Sequence, residues 1–164
     1  DIWQLFFSTE MINEIVQATN DRILEIRQRL FRDRGAYERS KHYLDYVDDT
    51  EIYAFLGLTY ARGLLGQNHH NVSHLFNDRI GHQIFGGTLG QNRFVFLHSV
   101  ISFDDPSTRS NRFKVDRFAA IRKVFELFNS NCAKVLIPDA YLAMDESLIT
   151  SRNRTAMKQY NPMV

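Results

Sequence analysis

Tyr141-Leu142-Ala143-Met144-Asp145-Glu146-Ser147-Leu148-Ile149 is a strand-like apolar run with two adjacent carboxylates in its middle. Just upstream, Val135-Leu136-Ile137-Pro138-Asp139 gives a second apolar run that ends in a stop and a turn. An ionised, unpartnered Asp inside such a strand costs several kcal/mol. Asp145 is therefore solvated at a strand end, paired with a base, or holding a cation. Neighbours in a strand face opposite sides, so only one of Asp145 and Glu146 can point into a shared site.

The rest of the chain reads as helix. With 164 residues there is room for one domain, or for one domain and part of another. Hydrophobic residues make up 44%, and 13 of the residues are Phe, enough for a sizeable core and too many for a disordered chain. A net charge of +1 gives no global reason to bind a polyanion, so any nucleic-acid case rests on local asymmetry. The lone Cys132 excludes an internal disulfide framework. No apolar run approaches the roughly 20 residues that span a bilayer, so no membrane partner is expected. Asp1-Ile2-Trp3 has neither a basic leader nor an initiator Met, and the expectation is a segment of a longer protein.

From the N-terminus, Trp3, Leu5, Phe6 and Phe7 form an apolar arm, and Ser8 or Thr9 with Glu10 reads as a helix start. Ile12, Ile15, Val16, Thr19, Ile23, Ile26 and Leu30 then recur at three- and four-residue steps, the apolar face of an amphipathic helix. Its later turns carry Arg22, Arg27, Arg29, Arg32 and Arg34, either a solvated face with intrahelical pairs such as Glu25 with Arg29 or a DNA-facing surface. Asp45, Asp48, Asp49 and Glu51 fit a helix N-terminus, with Asp48 and Glu51 as a capping box; a metal site is the rival. Ile52, Phe55, Leu56, Thr59 and Tyr60 make the next apolar face, closed by Gly63 or Gly66. His69, His70, His74 and His82 follow in a loop-rich region without a nearby cysteine or the H-E-x-x-H pattern, which argues against zinc. Thr88 is a candidate cap for a helix holding Leu89, Phe94, Leu97 and Ile101; a buried strand is the rival over Arg93 to Phe103.

Residues 109 to 123 carry the local charge asymmetry. Arg109, Arg112, Lys114, Arg117, Arg122 and Lys123 stand against Asp116 alone, and six bases less one acid give +5. Ser107, Thr108, Ser110 and Asn111 add neutral phosphate donors between them. The segment reads as a linker before a helix with Phe118, Ile121, Phe125, Phe128 and Cys132 on one face. Near residue 134 the period changes from helical to strand-like. This divides the chain into a helical part, 1–134, and the first strands of another, 135–164. The basic tail Arg152, Arg154 and Lys158 reads as the return strand of a hairpin, close to the carboxylates.

These pieces have an order. Phe103-Asp104-Asp105 follows an apolar helix, and a basic linker and a second helix come next. After them stand Ile137-Pro138, Leu142 and Asp145-Glu146-Ser147 in the pattern I-P-x-x-x-L-x-x-D-E-S, then a basic hairpin ending Lys158-Gln159-Tyr160-Asn161-Pro162. In this succession, from Leu5-Phe6-Phe7-Ser8-Thr9-Glu10 onward, the chain resembles the piggyBac transposase family. The resemblance implies a mainly α fold, a helical dimerisation and DNA-binding segment followed by the first β-strands of a truncated RNase H-like catalytic domain.

It also implies that Asp145 is the first of three catalytic aspartates that hold Mg²⁺, hard cations that seek oxygen ligands. The implied activity is cut-and-paste transposition at TTAA sites, by a homodimer bound to transposon ends in the nucleus, with no small-molecule substrate. Arg109, Arg112, Lys114, Arg117, Arg152, Arg154 and Lys158 are the expected DNA-binding residues. One carboxylate cannot build a two-metal site, so residues 1–164 alone are expected to be inactive. Two other readings stand beside this one: a domesticated derivative that binds DNA or protein without catalysis, and a helical interaction module with no nucleic-acid role.

Overall fold

Ser8 and Thr9 open the long helix on which the other elements are laid. The computed structural model describes residues 2–34, 42–139, 141 and 143. In chain order they form α1 (Ile2–Phe6), α2 (Thr9–Arg34), a 3-10 turn (His42–Leu44), α3 (Asp49–Leu64), α4 (Val72–Leu75), α5 (Gln83–Thr88), α6 (Gln91–Val100), α7 (Pro106–Arg112) and α8 (Arg122–Val135). The fold is mainly helical, and no strand occurs among the described residues. The strand-like reading from Val135 is corrected at its start. Val135 is the last residue of α8, where the N–H of Leu136 still donates to the Cys132 carbonyl at 2.9 Å. Extending an existing helical ladder by one residue is easier than opening a new strand. Asp145, Glu146, Arg152, Arg154 and Lys158 lie outside the described residues.

Of the apolar stripe predicted for α2, Ile12, Ile15, Thr19 and Ile23 are sealed from solvent together with Met11, while Val16, Ile26 and Leu30 are half-buried. Thr19 is the one polar member, and its hydroxyl is satisfied. Its Oγ1 accepts from the Ser102 N–H at 3.2 Å and donates to the Ser102 carbonyl at 3.4 Å, tying α2 to the segment after α6. Next to it, the Asn20 amide accepts from the Val47 N–H at 2.8 Å and donates to the Val47 carbonyl at 2.9 Å. A single side chain thus gives an irregular segment the pairing a strand neighbour would supply.

On α3, Ile52, Phe55 and Leu58 face the core, while Tyr60, read from sequence as an inward residue, is exposed. Asp48 is the N-cap that the spacing predicts, its Oδ1 accepting from the Glu51 N–H at 2.8 Å. At the other end Leu65 is the C-cap and Gly66 takes a φ of 67°, a left-handed turn that suits glycine. The region between α3 and α6 is pinned by an aromatic chain: Phe76 contacts Phe85 at 5.7 Å and Phe94 at 5.4 Å, and Phe94 contacts Phe55 at 5.3 Å. The buried rings among them, Phe55, Phe85 and Phe94, each contribute about 2 kcal/mol through burial.

The segment with the rival strand reading is helical, α6, with Phe94, Phe96, Leu97 and Val100 inward. Its cap differs from the sequence expectation. Thr88 ends α5, donating Oγ1–H to the Ile84 carbonyl at 2.6 Å, and Gly90 is the N-cap of α6. α8 closes the bundle against α1 and α2. Phe128 meets Phe7 at 5.5 Å and Phe6 at 6.3 Å, and the buried Asn131 donates to the Phe6 carbonyl at 3.0 Å, satisfying the end of α1. No described helix is long and apolar enough to cross a membrane.

Candidate nucleic-acid interface

The basic stretch does not begin as a linker: Arg109 to Arg112 are the end of the helix α7. Asp105 caps it, Oδ1 accepting from the Ser107 N–H at 2.8 Å and Oδ2 from the Ser107 hydroxyl at 2.8 Å, with Pro106 in the first turn. Those bonds from Ser107 hold the Asp105 carboxyl below its ordinary pKa. One helical turn apart, Arg109 and Arg112 converge on the carboxylate of Asp104, whose side chain is only 6% exposed.

Arg109 Nε lies 3.1 and 3.2 Å from the two Asp104 oxygens, and its Nη2 bonds Oδ1 as well. Arg112 Nη2 donates to Asp104 Oδ2 at 2.6 Å and to the Asp105 carbonyl at 2.9 Å. Its Nη1 reaches across to the Ala119 carbonyl at 2.7 Å. The Asp104 carboxylate raises the pKa of Arg109 above its ordinary value. Charge-assisted bonds to one anion from two guanidinium groups are the stronger kind of hydrogen bond.

The remaining cations sort in the same way. Arg122 grips Asp116 through Nε at 2.8 Å and Nη2 at 2.7 Å. This pairing, together with the Phe118 N–H on Asp116 Oδ1 at 2.9 Å, lowers the Asp116 pKa to about 2. Lys123 pairs with Glu14 of α2 at 2.6 Å. The local charge of +5 counted along the sequence is thus substantially offset by acids brought in from outside the window, Asp104 and Glu14. Lys114 and Arg117 are exposed on the α7–α8 turn, and Lys114 donates to the neutral Asn111 side chain at 3.2 Å. Beside them Val115 is 94% exposed.

Of the sequence-predicted residues, the structure brings Arg109, Arg112, Lys114 and Arg117 onto one helix and the turn after it. Asp145, Arg152, Arg154 and Lys158 fall outside the described residues. Asp104 is the residue that sequence reasoning missed. Along the sequence it is only the middle of Phe103-Asp104-Asp105, yet an acid just before a helix with arginines five and eight residues on is a signal for such a clamp.

The described residues hold no group of three or more His, Cys, Asp or Glu that could bind a metal ion. The acids at 45 to 51, for which a metal site was the rival reading, are otherwise engaged: Asp48 caps α3, Glu51 pairs with Arg93, and Asp45 takes Arg27 at 3.4 Å. His82 is an N-cap, its Nδ1 accepting from the Ile84 N–H at 3.2 Å. Among the described residues, then, the oxygen donors that Mg²⁺ needs are not brought together.

The family model described as Transposase IS4 matches residues 1–164. Among solved structures the chain is similar to a piggyBac transposase synaptic complex with hairpin DNA, studied by cryo-EM, at 28% identity and a TM-score of 0.68. That match covers 79% of this chain and 25% of the other, so the chain spans about a quarter of that transposase's length. No curated protein matches. With the family model running from the first residue to the last, over a fold shared with a piggyBac transposase, the chain belongs to the Transposase IS4 family in its piggyBac-type branch.

Proposed function

We propose that this chain is the DNA-binding and dimerisation part of a piggyBac-type cut-and-paste transposase, together with the opening of its catalytic core. The division falls near residue 134, with helical residues 1–134 engaging transposon ends as a homodimer in the nucleus. Residues 135–164 begin an RNase H-like core in which Asp145 is the first catalytic acid and a Mg²⁺ ligand. The observation that carries this reading is the fold shared with a transposase bound to hairpin DNA, under a family model that covers the whole chain. TTAA as the target, and the absence of strand cleavage by residues 1–164 alone, belong to the same proposal.

Phosphate contact falls to Lys114 and Arg117, exposed on the α7–α8 turn, and to Arg152, Arg154 and Lys158. Arg109 and Arg112 stand on the same surface with most of their N–H groups already given to Asp104, Asp105, Thr108 and Ala119.

The test is fluorescence anisotropy of the purified chain on a TTAA-flanked duplex across a salt series. Each neutralised phosphate contributes about −0.9 to the log–log slope. Replacing Lys114 and Arg117 by Ala should flatten it by about two. Binding that is absent, or indifferent to salt, would favour the helical interaction module without a nucleic-acid role. Mg²⁺-dependent nicking by the chain alone would overturn the proposed inactivity.

A further inference from the structure

The turn between α7 and α8 is braced far more than a surface loop needs. Within residues 113–119, the Phe113 N–H donates to the Arg109 carbonyl at 2.8 Å and the Asp116 N–H to that of Arg112 at 2.8 Å, while the Ala119 N–H returns to Asp116 at 3.1 Å. Asp116, held by Arg122, locks the far side. At the near side Arg112 spans the base, from Asp104 and the Asp105 carbonyl on one hand to the Ala119 carbonyl on the other. Asp104 is itself anchored, because Ser102, two residues earlier, is bonded to Thr19 inside α2. A continuous chain of hydrogen bonds therefore runs from the core helix to the tip that displays Lys114, Val115 and Arg117.

We infer that Asp104 is a positioning residue, which uses Arg109 and Arg112 to hold the 113–119 turn in a fixed shape that offers Lys114 and Arg117 to the phosphates of a DNA backbone. This rests on the DNA-binding reading above and changes the role of two of its residues. Arg112 already meets a nearly buried carboxylate and three other acceptors, and Arg109 the same carboxylate and the Ser102 hydroxyl oxygen, so neither can turn to a phosphate without breaking its set. Arg109 and Arg112 thus work through the turn, not on the DNA. A pre-formed turn binds without first losing loop entropy, which is what such bracing supplies.

The decisive variant is Asp104→Asn in the full chain, close in shape and without the charge. Amide hydrogen exchange at residues 113–119 should accelerate about tenfold or more, while the core amides of α2 and α3 keep their protection. Affinity for a TTAA-flanked duplex should fall, and its salt slope should shrink by about two as Lys114 and Arg117 lose their register. A slope that steepens instead means the freed arginines take phosphates themselves, and the inference is wrong. Unchanged exchange in the turn overturns the brace. If Asp104→Asn does not fold, Arg112→Lys keeps the charge, cannot span Asp104 and Ala119 together, and must give the same two changes. A wild-type chain that binds no duplex at low salt overturns the DNA role of the turn, and the exchange data still decide the brace.

Discussion

Arg93 and Glu51 face each other fork to fork, Nε to Oε1 at 2.6 Å and Nη2 to Oε2 at 2.5 Å, although 42 residues separate them. The other N–H groups of Arg93 go to the carbonyls of Tyr43, Asp45 and Tyr46 at 2.8, 2.6 and 3.2 Å. One guanidinium, 11% exposed, therefore joins α6, the first turn of α3 and the segment that leads into it. Lysine has one nitrogen and no fork, so it cannot reproduce five bonds in three directions. Removing one partner of a nearly buried pair costs about 3 kcal/mol or more. Arg93→Met should lower stability by about that much in urea denaturation, and Arg93→Lys by only slightly less. A Lys variant within 0.5 kcal/mol or so of wild type would mean solvent already screens the pair.

The Asn20–Val47 pairing predicts a loss of a different kind. Truncation in Asn20→Ala leaves both the N–H and the carbonyl of the buried Val47 without their side-chain partner. The expected cost is about 2 kcal/mol, against a few tenths for Asp21→Ala on the exposed side of the same helix. Paired thermal melts of the two variants distinguish them, and equal melting temperatures would contradict the pairing's importance.

Gly81 carries a third prediction. A Cβ built there would overlap the Leu75 carbonyl oxygen and stand 2.7 and 2.8 Å from those of Asn77 and His74. All three obstacles are backbone, which cannot swing aside as a side chain does. Gly81→Ala should destabilise by roughly 2 kcal/mol through this overpacking. Gly57→Ala is the control: nothing lies within 4 Å of its added Cβ, and it sits inside α3, where replacing glycine should stabilise by about 0.5 kcal/mol or more. If both variants shift in the same direction, the close approach at Gly81 is not real.

What could be read from the sequence was what is local. The α2 stripe and the Asp48 cap are written in three- and four-residue spacings, and both stand in the structure. Glu51 shows where that reading stops. Its spacing from Asp48 marked a capping box, and its N–H does complete half of one, but the carboxylate turns to Arg93, a partner no local pattern announces. The same limit explains the basic segment: a charge count along residues 109–123 could not include Glu14 or Asp104, which reach it only through folding. Thr88 misled because a hydroxyl before an apolar run suits a cap, yet it equally suits the last turn of a short helix, bonded to the carbonyl four residues back.

Asp116 gives a pH signature with a defined sign. Arg122 first, and then the Phe118 N–H, lower its folded pKa from the ordinary 3.8 to about 2. The folded state therefore prefers the ionised carboxylate more strongly than the unfolded chain does. That preference stabilises the fold fully above the unfolded value and disappears as the pH falls through the folded one. Asp105, also lowered, by Ser107, adds in the same direction. In urea titrations of wild type and Asp116→Asn at a series of pH values, the wild-type advantage should be constant near neutrality and shrink as the pH drops from 3.8 toward 2. Arg122→Gln should show the same loss of acid sensitivity, because it removes the group that holds the carboxylate ionised. An advantage that persists unchanged at pH 2 would place the contribution of Asp116 in packing and not in its charge.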